Sequence, residues 1–165
     1  NYVYTPSEGL ATIASSKLLK ESFNFINEHG GYNTDYRLSL INTAKHIVDY
    51  QLYYQGLPVF SAETATKIST TWGDEELHKY RRPYYVLEND IPTEMKIKYL
   101  PSGMEIVEKY VQSDVDIKDL VLGYYLVQNT DLGVFELEPA WFILKENSWE
   151  RIKIENIGGT ANGLE

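Results

Sequence analysis

The sequence predicts an α+β fold in which two helices pack on antiparallel β-sheet. Three observations carry that prediction: two capping-box signatures that open helices, stretches of period-two alternation rich in tyrosine, and glycine-centred turns between them. A helix-then-strand-meander order occurs twice along the chain, the second time shorter. Residues 1–155 are expected to form one domain with sub-units over 5–90 and 100–155, followed by a flexible tail over 156–165.

The first helix is expected to start at Thr5-Pro6-Ser7-Glu8, where Thr5 caps, Pro6 presets φ and Glu8 completes the box. It should run to about Glu28, with Gly30 and Gly31 stopping it. At 100° per residue Leu10, Ala14, Leu18 and Phe25 share one face, while Leu19, Phe23 and Ile26 lie nearly opposite. Either the helix is sheltered by both the sheet and a loop, or that second face meets an upstream domain absent from this chain.

From Tyr36 the period becomes two. Leu38 and Leu40 alternate with Arg37 and Ser39, and Val48, Tyr50, Leu52 and Tyr54 alternate with Asp49, Gln51 and Tyr53. The segment Ile47 to Tyr54 is therefore a half-buried antiparallel strand, its Val48 side inward and Tyr53 at the surface. Gly56 to Pro58 turns the chain into Val59-Phe60, and Lys67 to Trp72 and Pro83 to Leu87 supply further strands. Lys79, Arg81 and Arg82 read as a solvated turn, the alternative being a local basic patch that acts against the average charge.

Ser102-Gly103-Met104-Glu105 is the second capping box, placing a helix over about Gly103 to Gln112 with Met104, Val107 and Val111 inward. Strands follow at Leu120 to Gln128, Val134 to Glu138, Ala140 to Leu144 and Trp149 to Ile154. The first of these is apolar on both sides, with Leu122, Tyr124 and Leu126 on one and Val121, Tyr125 and Val127 on the other. Either it is covered twice or one face docks a partner.

Composition narrows function. Among 165 residues, 24 acidic against 15 basic side chains give a net charge of -9, so a phosphate backbone is repelled and nucleic acid is a poor partner. The absence of cysteine removes thiol chemistry, cysteine-based metal sites and disulfides. No apolar run reaches the roughly 18–20 residues that span a bilayer. The chain opens at Asn1 without methionine and ends in Leu164-Glu165, which is expected of an expressed fragment with a cloning scar.

No catalytic, cofactor or metal site is predicted. His29 sits at a helix C-terminus, where it caps carbonyls. His46 precedes a strand, and His78 in Glu75-Glu76-Leu77-His78 lacks the second histidine of a zinc helix. Asp114, Asp116 and Asp119 lack the glycine and closing glutamate of a calcium loop. Glu136 and Glu138 share a strand face without any feature that selects them for acid–base work. What remains is aromatic: 14 Tyr, five Phe and three Trp exceed what such a core needs. Tyrosine suits interfaces because it buries a ring and keeps a hydroxyl. The candidate partner-binding residues are Tyr53, Tyr124, Tyr125, Leu19, Phe23 and Ile26.

The order of landmarks carries a resemblance. The stretch Phe25 to Phe60, with Trp72-Gly73, Arg82-Pro83, Leu100-Pro101-Ser102-Gly103 and Glu138-Pro139-Ala140-Trp141, resembles the carboxy-terminal region of the YycH family, to which YycI is related. Gly30-Gly31-Tyr32 stands where the family pattern has glycine-glycine-tryptophan, a conservative departure. The resemblance implies a non-catalytic extracytoplasmic regulator of a Gram-positive WalK/YycG sensor histidine kinase, controlling cell-wall metabolism. It further implies a YycI-like partner and anchoring by an amino-terminal transmembrane helix outside this chain. The rival expectation is an extracellular glycan-binding module, whose Trp and Tyr platform would stack on sugar rings.

Overall fold

The computed structural model describes residues 14–32, 35–73, 76–85, 100–112, 118–131, 133–146 and 148–153. It confirms the α+β class: the described residues form two helices and eight strands, every strand pair described below being antiparallel. The chain divides into two compact units, Asn1–Leu87 and Glu88–Glu165.

In the first unit, α1 (Ser15–Glu28) is followed by β1 (Tyr36–Asn42), β2 (Ile47–Tyr54), β3 (Leu57–Phe60), β4 (Lys67–Trp72) and β5 (Leu77–Arg81). The helix starts later than expected: Ala14 is extended and provides no side-chain cap, so α1 is not a continuation of a helix from Thr5. The cap assigned to Thr5-Pro6-Ser7-Glu8 lies outside the described residues. At the other end the expectation holds. Gly30 takes φ 102°, and the His29 imidazole Nδ1 lies 2.8 Å from the Phe25 carbonyl. Arg82, expected in a solvated turn, closes the same end by donating to the carbonyls of His29 at 3.1 Å and Gly30 at 3.4 Å. A Cβ on Gly30 would approach that guanidinium to 3.0 Å, so the cap needs glycine for space as well as for φ.

Strand β2 spans the expected residues and lies between β1 and β4, with Val48 opposite Ile41 and Thr70, and Tyr50 opposite Leu38 and Ile68. Val48 and Tyr50 are buried as predicted. They join Leu18, Ile26 and Ile68 in the core, with Leu19, Tyr32, Tyr36, Ile41, Trp72 and Tyr80 packed around them. The helix face that enters this core is Leu18, Ser22 and Ile26, spaced by four. Ile26 is thus turned toward Leu18 rather than away from it. At its centre Ser22 Oγ lies 2.8 Å from Thr70 Oγ1 and accepts a hydrogen bond from the Trp72 indole Nε1 at 2.8 Å.

Several local expectations give way. A register shift between Leu38 and Leu40 sets Leu38 opposite Tyr50 but Leu40 opposite Asp49, on the other face, so the two leucines do not share a buried side and both are exposed. The hairpin after β2 turns at Gln55 and Gly56, both at positive φ, and Leu57-Pro58 already belong to β3. The strand after β4 is Leu77–Arg81 rather than Pro83–Leu87; residues 82–85 are irregular, and 86 and 87 lie outside the described residues.

In the second unit, α2 (Gly103–Gln112) precedes β6 (Asp119–Asn129), β7 (Val134–Lys145) and β8 (Ser148–Arg151), paired β6–β7–β8. The capping box forms as read. The Ser102 N–H donates to Glu105 Oε2 at 2.5 Å and the Glu105 N–H to Ser102 Oγ at 3.3 Å, which holds the Glu105 carboxyl below its usual range. The inward face, however, is Ile106 with Tyr110, packed with Ile143, Ile152, Leu120 and Trp141. Met104 is 69% exposed and Val107 is also exposed, while the Val111 side chain lies outside the described residues. Two apolar stripes one residue apart run along this helix, and Gly103 decides between them. A Cβ there would come within 3.2 Å of the Trp141 ring, so that ring sits against the Gly103–Ile106–Tyr110 side. The Trp141 Nε1 donates to the Pro101 carbonyl at 2.9 Å. The two strands expected on either side of Pro139 are one, because Pro139 pairs opposite Tyr124 without ending the ladder.

Two outcomes test this packing. Replacing Ser22 with Ala leaves the Trp72 indole and the Thr70 hydroxyl short of a buried partner and should cost about 1–3 kcal/mol in urea unfolding; adding Thr70→Val should cost less than it does alone. For Glu105, whose folded pKa lies below the ordinary 4.5, the capping contribution is present above that value and is lost as pH falls through the folded one. Protection of the α2 amides, taken relative to the intrinsic exchange rate at each pH, should therefore fall below about pH 4.5 in the parent chain. In Glu105→Gln that pH dependence should disappear.

Candidate functional site

Alternation along β2 gives the first unit a second face. Opposite the helix, Asp49 lines up with Ser69 and Arg81, and Ile47 with Thr71 and Lys79. These residues floor a concavity of about 380 Å³, walled by Ser61, Thr64, Ala65 and Thr66, with Lys67 at one end. The wall is built rather than loose. Gln51, expected at the surface, is 4% exposed because its Nε2 donates to the carbonyls of Val59 and Thr66 and to Thr66 Oγ1, drawing the segment after β3 over the strand. Tyr85 Oη donates to the Ala65 carbonyl at 2.5 Å and lies 3.3 Å from Thr64 Oγ1.

Charge in this concavity opposes the average of the chain. Asp49 accepts from Ser69 Oγ at 2.6 Å. Among the described residues no ion pair forms at Lys67, Lys79 or Arg81, so three cations face one carboxylate. Sequence analysis met Lys79 and Arg81 only as part of a basic stretch with Arg82; Lys67 lies on another strand, and the pairing of β4 with β5 brings the three together. In the alternation Leu77-His78-Lys79-Tyr80-Arg81, period two already places Lys79 and Arg81 on one side.

Of the six sequence-predicted residues, Leu19, Phe23, Ile26 and Tyr53 belong to the first unit and Tyr124 and Tyr125 to the second. Ile26 is fully buried in the core and Leu19 packs against it, so Ile26 is removed from the candidates. Phe23 is 50% exposed and stacks on Tyr32 at 5.8 Å; the Tyr32 ring lies 5.2 Å from that of Tyr50, opposite which stands Leu38, 47% exposed. Burial pushes the Tyr32 hydroxyl above its usual pKa, with Tyr50 and Tyr80 adding to the shift. Phe23, Tyr32 and Leu38 thus make an apolar rim beside α1 that sequence analysis recognised only at Phe23. Tyr53 is half-buried, with the Arg37 guanidinium 4.1 Å above its ring and Asp35 paired to that arginine at 2.8 Å.

In the second unit Tyr125 is half-buried beneath Arg151 at 4.5 Å, and Arg151 pairs with Glu138 at 2.8 Å. Glu136 accepts from Asn129 Nδ2 at 2.6 Å, so each carboxylate of that strand face has a structural partner. Tyr124 is half-buried on the other side, in line with Leu120, Leu122 and Leu126. Buried residues occur on both sides of the β6–β7 pair, Leu126 and Ile143 on one and Gly123, Ala140 and Phe142 on the other, so the strand is covered twice. The histidines have structural surroundings as well: His46 is buried at positive φ with Nδ1 3.3 Å from the Trp72 carbonyl. Asp114 and Asp116 lie outside the described residues. Among the described residues no helix is long and apolar enough to cross a membrane.

A family model described as the C-terminal domain of the YycH protein matches residues 1–158. The chain belongs to the YycH family. Membership connects it with the YycH regulator of the WalK/YycG two-component system, a family that is extracytoplasmic in general. Neither the curated proteins nor the solved structures contain a match to it. The landmarks that carry the YycH resemblance are placed at packing contacts: Trp141 on Pro101 and Gly103, Trp72 on Ser22, Arg82 on the end of α1.

The wall of the concavity can be tested directly. Gln51→Ala removes the donor shared by Val59 and Thr66 and should destabilise the chain by about 1–3 kcal/mol. Amide exchange should rise first over residues 61–66, ahead of β2 and β4.

Proposed function

We propose that this chain is a non-catalytic regulatory module that binds protein partners, a YycI-like protein and the extracytoplasmic part of a WalK/YycG-type sensor kinase, and so adjusts signalling that controls cell-wall metabolism. The family match over residues 1–158 carries the reading. In it the module stands outside the cytoplasmic membrane, held by an amino-terminal anchor elsewhere in the full-length protein. The apolar rim of Phe23, Tyr32 and Leu38 supplies the kind of surface such binding uses: a half-exposed aromatic ring backed by a second, already packed ring, so that little side-chain freedom remains to be lost.

Binding of the chain to the purified extracytoplasmic parts of the YycI-like protein and the kinase tests the proposal. Phe23→Ala should weaken association by roughly thirtyfold, the equivalent of about 2 kcal/mol for an interfacial aromatic. Leu38→Ala should weaken it less. Tight binding that ignores both substitutions would move the interface elsewhere. Peptidoglycan hydrolysis that is lost on changing one acidic residue would replace the regulatory reading with an enzymatic one.

A further inference from the structure

The basic concavity lies beside β5, which among the described residues is the outermost strand of the order β5–β4–β2. We propose that an extended acidic segment of a partner protein docks here, adding edge-on to β5 with its carboxylates over Lys79 and Arg81. The inference rests on the partner-binding reading above and assigns that reading a second contact.

Three features point to a strand rather than to a single small anion. Lys79 and Arg81 occupy the same face of β5 two residues apart, hence about 7 Å at the usual rise of a strand. Lys67 stands opposite Gln51, four residues along β4 from Thr71, which faces Lys79, so the positive charges are spread over roughly 14 Å rather than converging on one point. A strand added in register presents every second side chain to this face at that same 7 Å repeat, roughly matching carboxylates to cations. The concavity between them is hydroxyl-rich, and Ser61 and Thr71 can donate to carboxylate oxygens while the Ser69 hydroxyl is engaged by Asp49. Asp49, the one acid among the described lining residues, is turned to Ser69. In a chain of net charge -9 an uncompensated basic face selects locally for an acidic ligand that the rest of the surface repels.

The test uses the full chain and a fluorescent hexapeptide in which threonine and glutamate alternate. Binding is followed by anisotropy and by NMR shifts of backbone amides. The expected result is shifts centred on residues 77–81, affinity that falls with salt, and tighter binding than for a hexapeptide of the same residues with its glutamates in one block. Reversing Lys79 and Arg81 together to Glu should weaken binding by about tenfold or more. Lys67→Gln should weaken it by a few-fold, which keeps the test open if the double variant misfolds. Equal binding of the block peptide, competition by inorganic phosphate at matched charge, or preference for phosphatidylglycerol vesicles would each overturn the strand proposal. So would absence of peptide binding together with self-association of a Lys79→Thr, Arg81→Thr variant, since the charges would then only guard an edge. None of these outcomes touches the kinase-regulator reading, which is decided by the partner proteins and Phe23.

Discussion

The first unit depends on a strand with two jobs. Val48 and Tyr50 of β2 face the helix and Asp49 and Gln51 face away, so a slip of one residue would put polar groups into the core and bare apolar ones into the concavity. The register is held from both sides, by β1 and β4, and the helix is fixed onto it by more than apolar area. Ser22, Thr70 and Trp72 form a buried polar contact whose members satisfy one another only when α1 lies at one position over β4. Apolar packing alone tolerates sliding; a buried hydroxyl pair does not.

Elements whose own pattern matched their environment were legible in the sequence. The bounds of β2, β4 and α2 agree with expectation because alternation or a capping box acts over a few neighbouring residues. Choices made between elements were not. In α2 the Met104–Val107 stripe and the Ile106–Tyr110 stripe are equally good helical faces, and only the close approach of Trp141 to Gly103 selects the second. In β1 a bulge moves Leu40 to the face of Asp49, and no residue type announces a bulge at Ser39. Pro139 reads as a break, yet it stands opposite Tyr124 and the β6–β7 pairing continues on both sides of it.

The same division separates the family signal from the site. Tryptophans, glycines and prolines stood out in the sequence, and they stand at contacts such as Trp141 Nε1 to Pro101, where a change of size or donor would move a helix. Such residues mark a fold. The concavity is made from lysine, arginine, serine and threonine, the commonest surface types, whose meaning arises only from being laid side by side on β4 and β5. Gln51 shows the point in one residue: polar in the alternation, it is buried because a neighbouring segment has three acceptors for it.

Charge compensation also separates the two classes of basic residue. Arg37 over Tyr53 and Arg151 over Tyr125 are each matched by an acid at 2.8 Å, so ring, cation and carboxylate form closed sets with little field left for a ligand. Those tyrosines were read from sequence as part of a docking surface, and each has one ring face covered by its arginine. Lys67, Lys79 and Arg81 face a single hydroxyl-bound aspartate and keep their field. An acidic chain gains specificity from that contrast: its general surface repels acidic partners, and a hydroxyl-lined face with unmatched cations is where such a partner can approach without desolvating an existing pair.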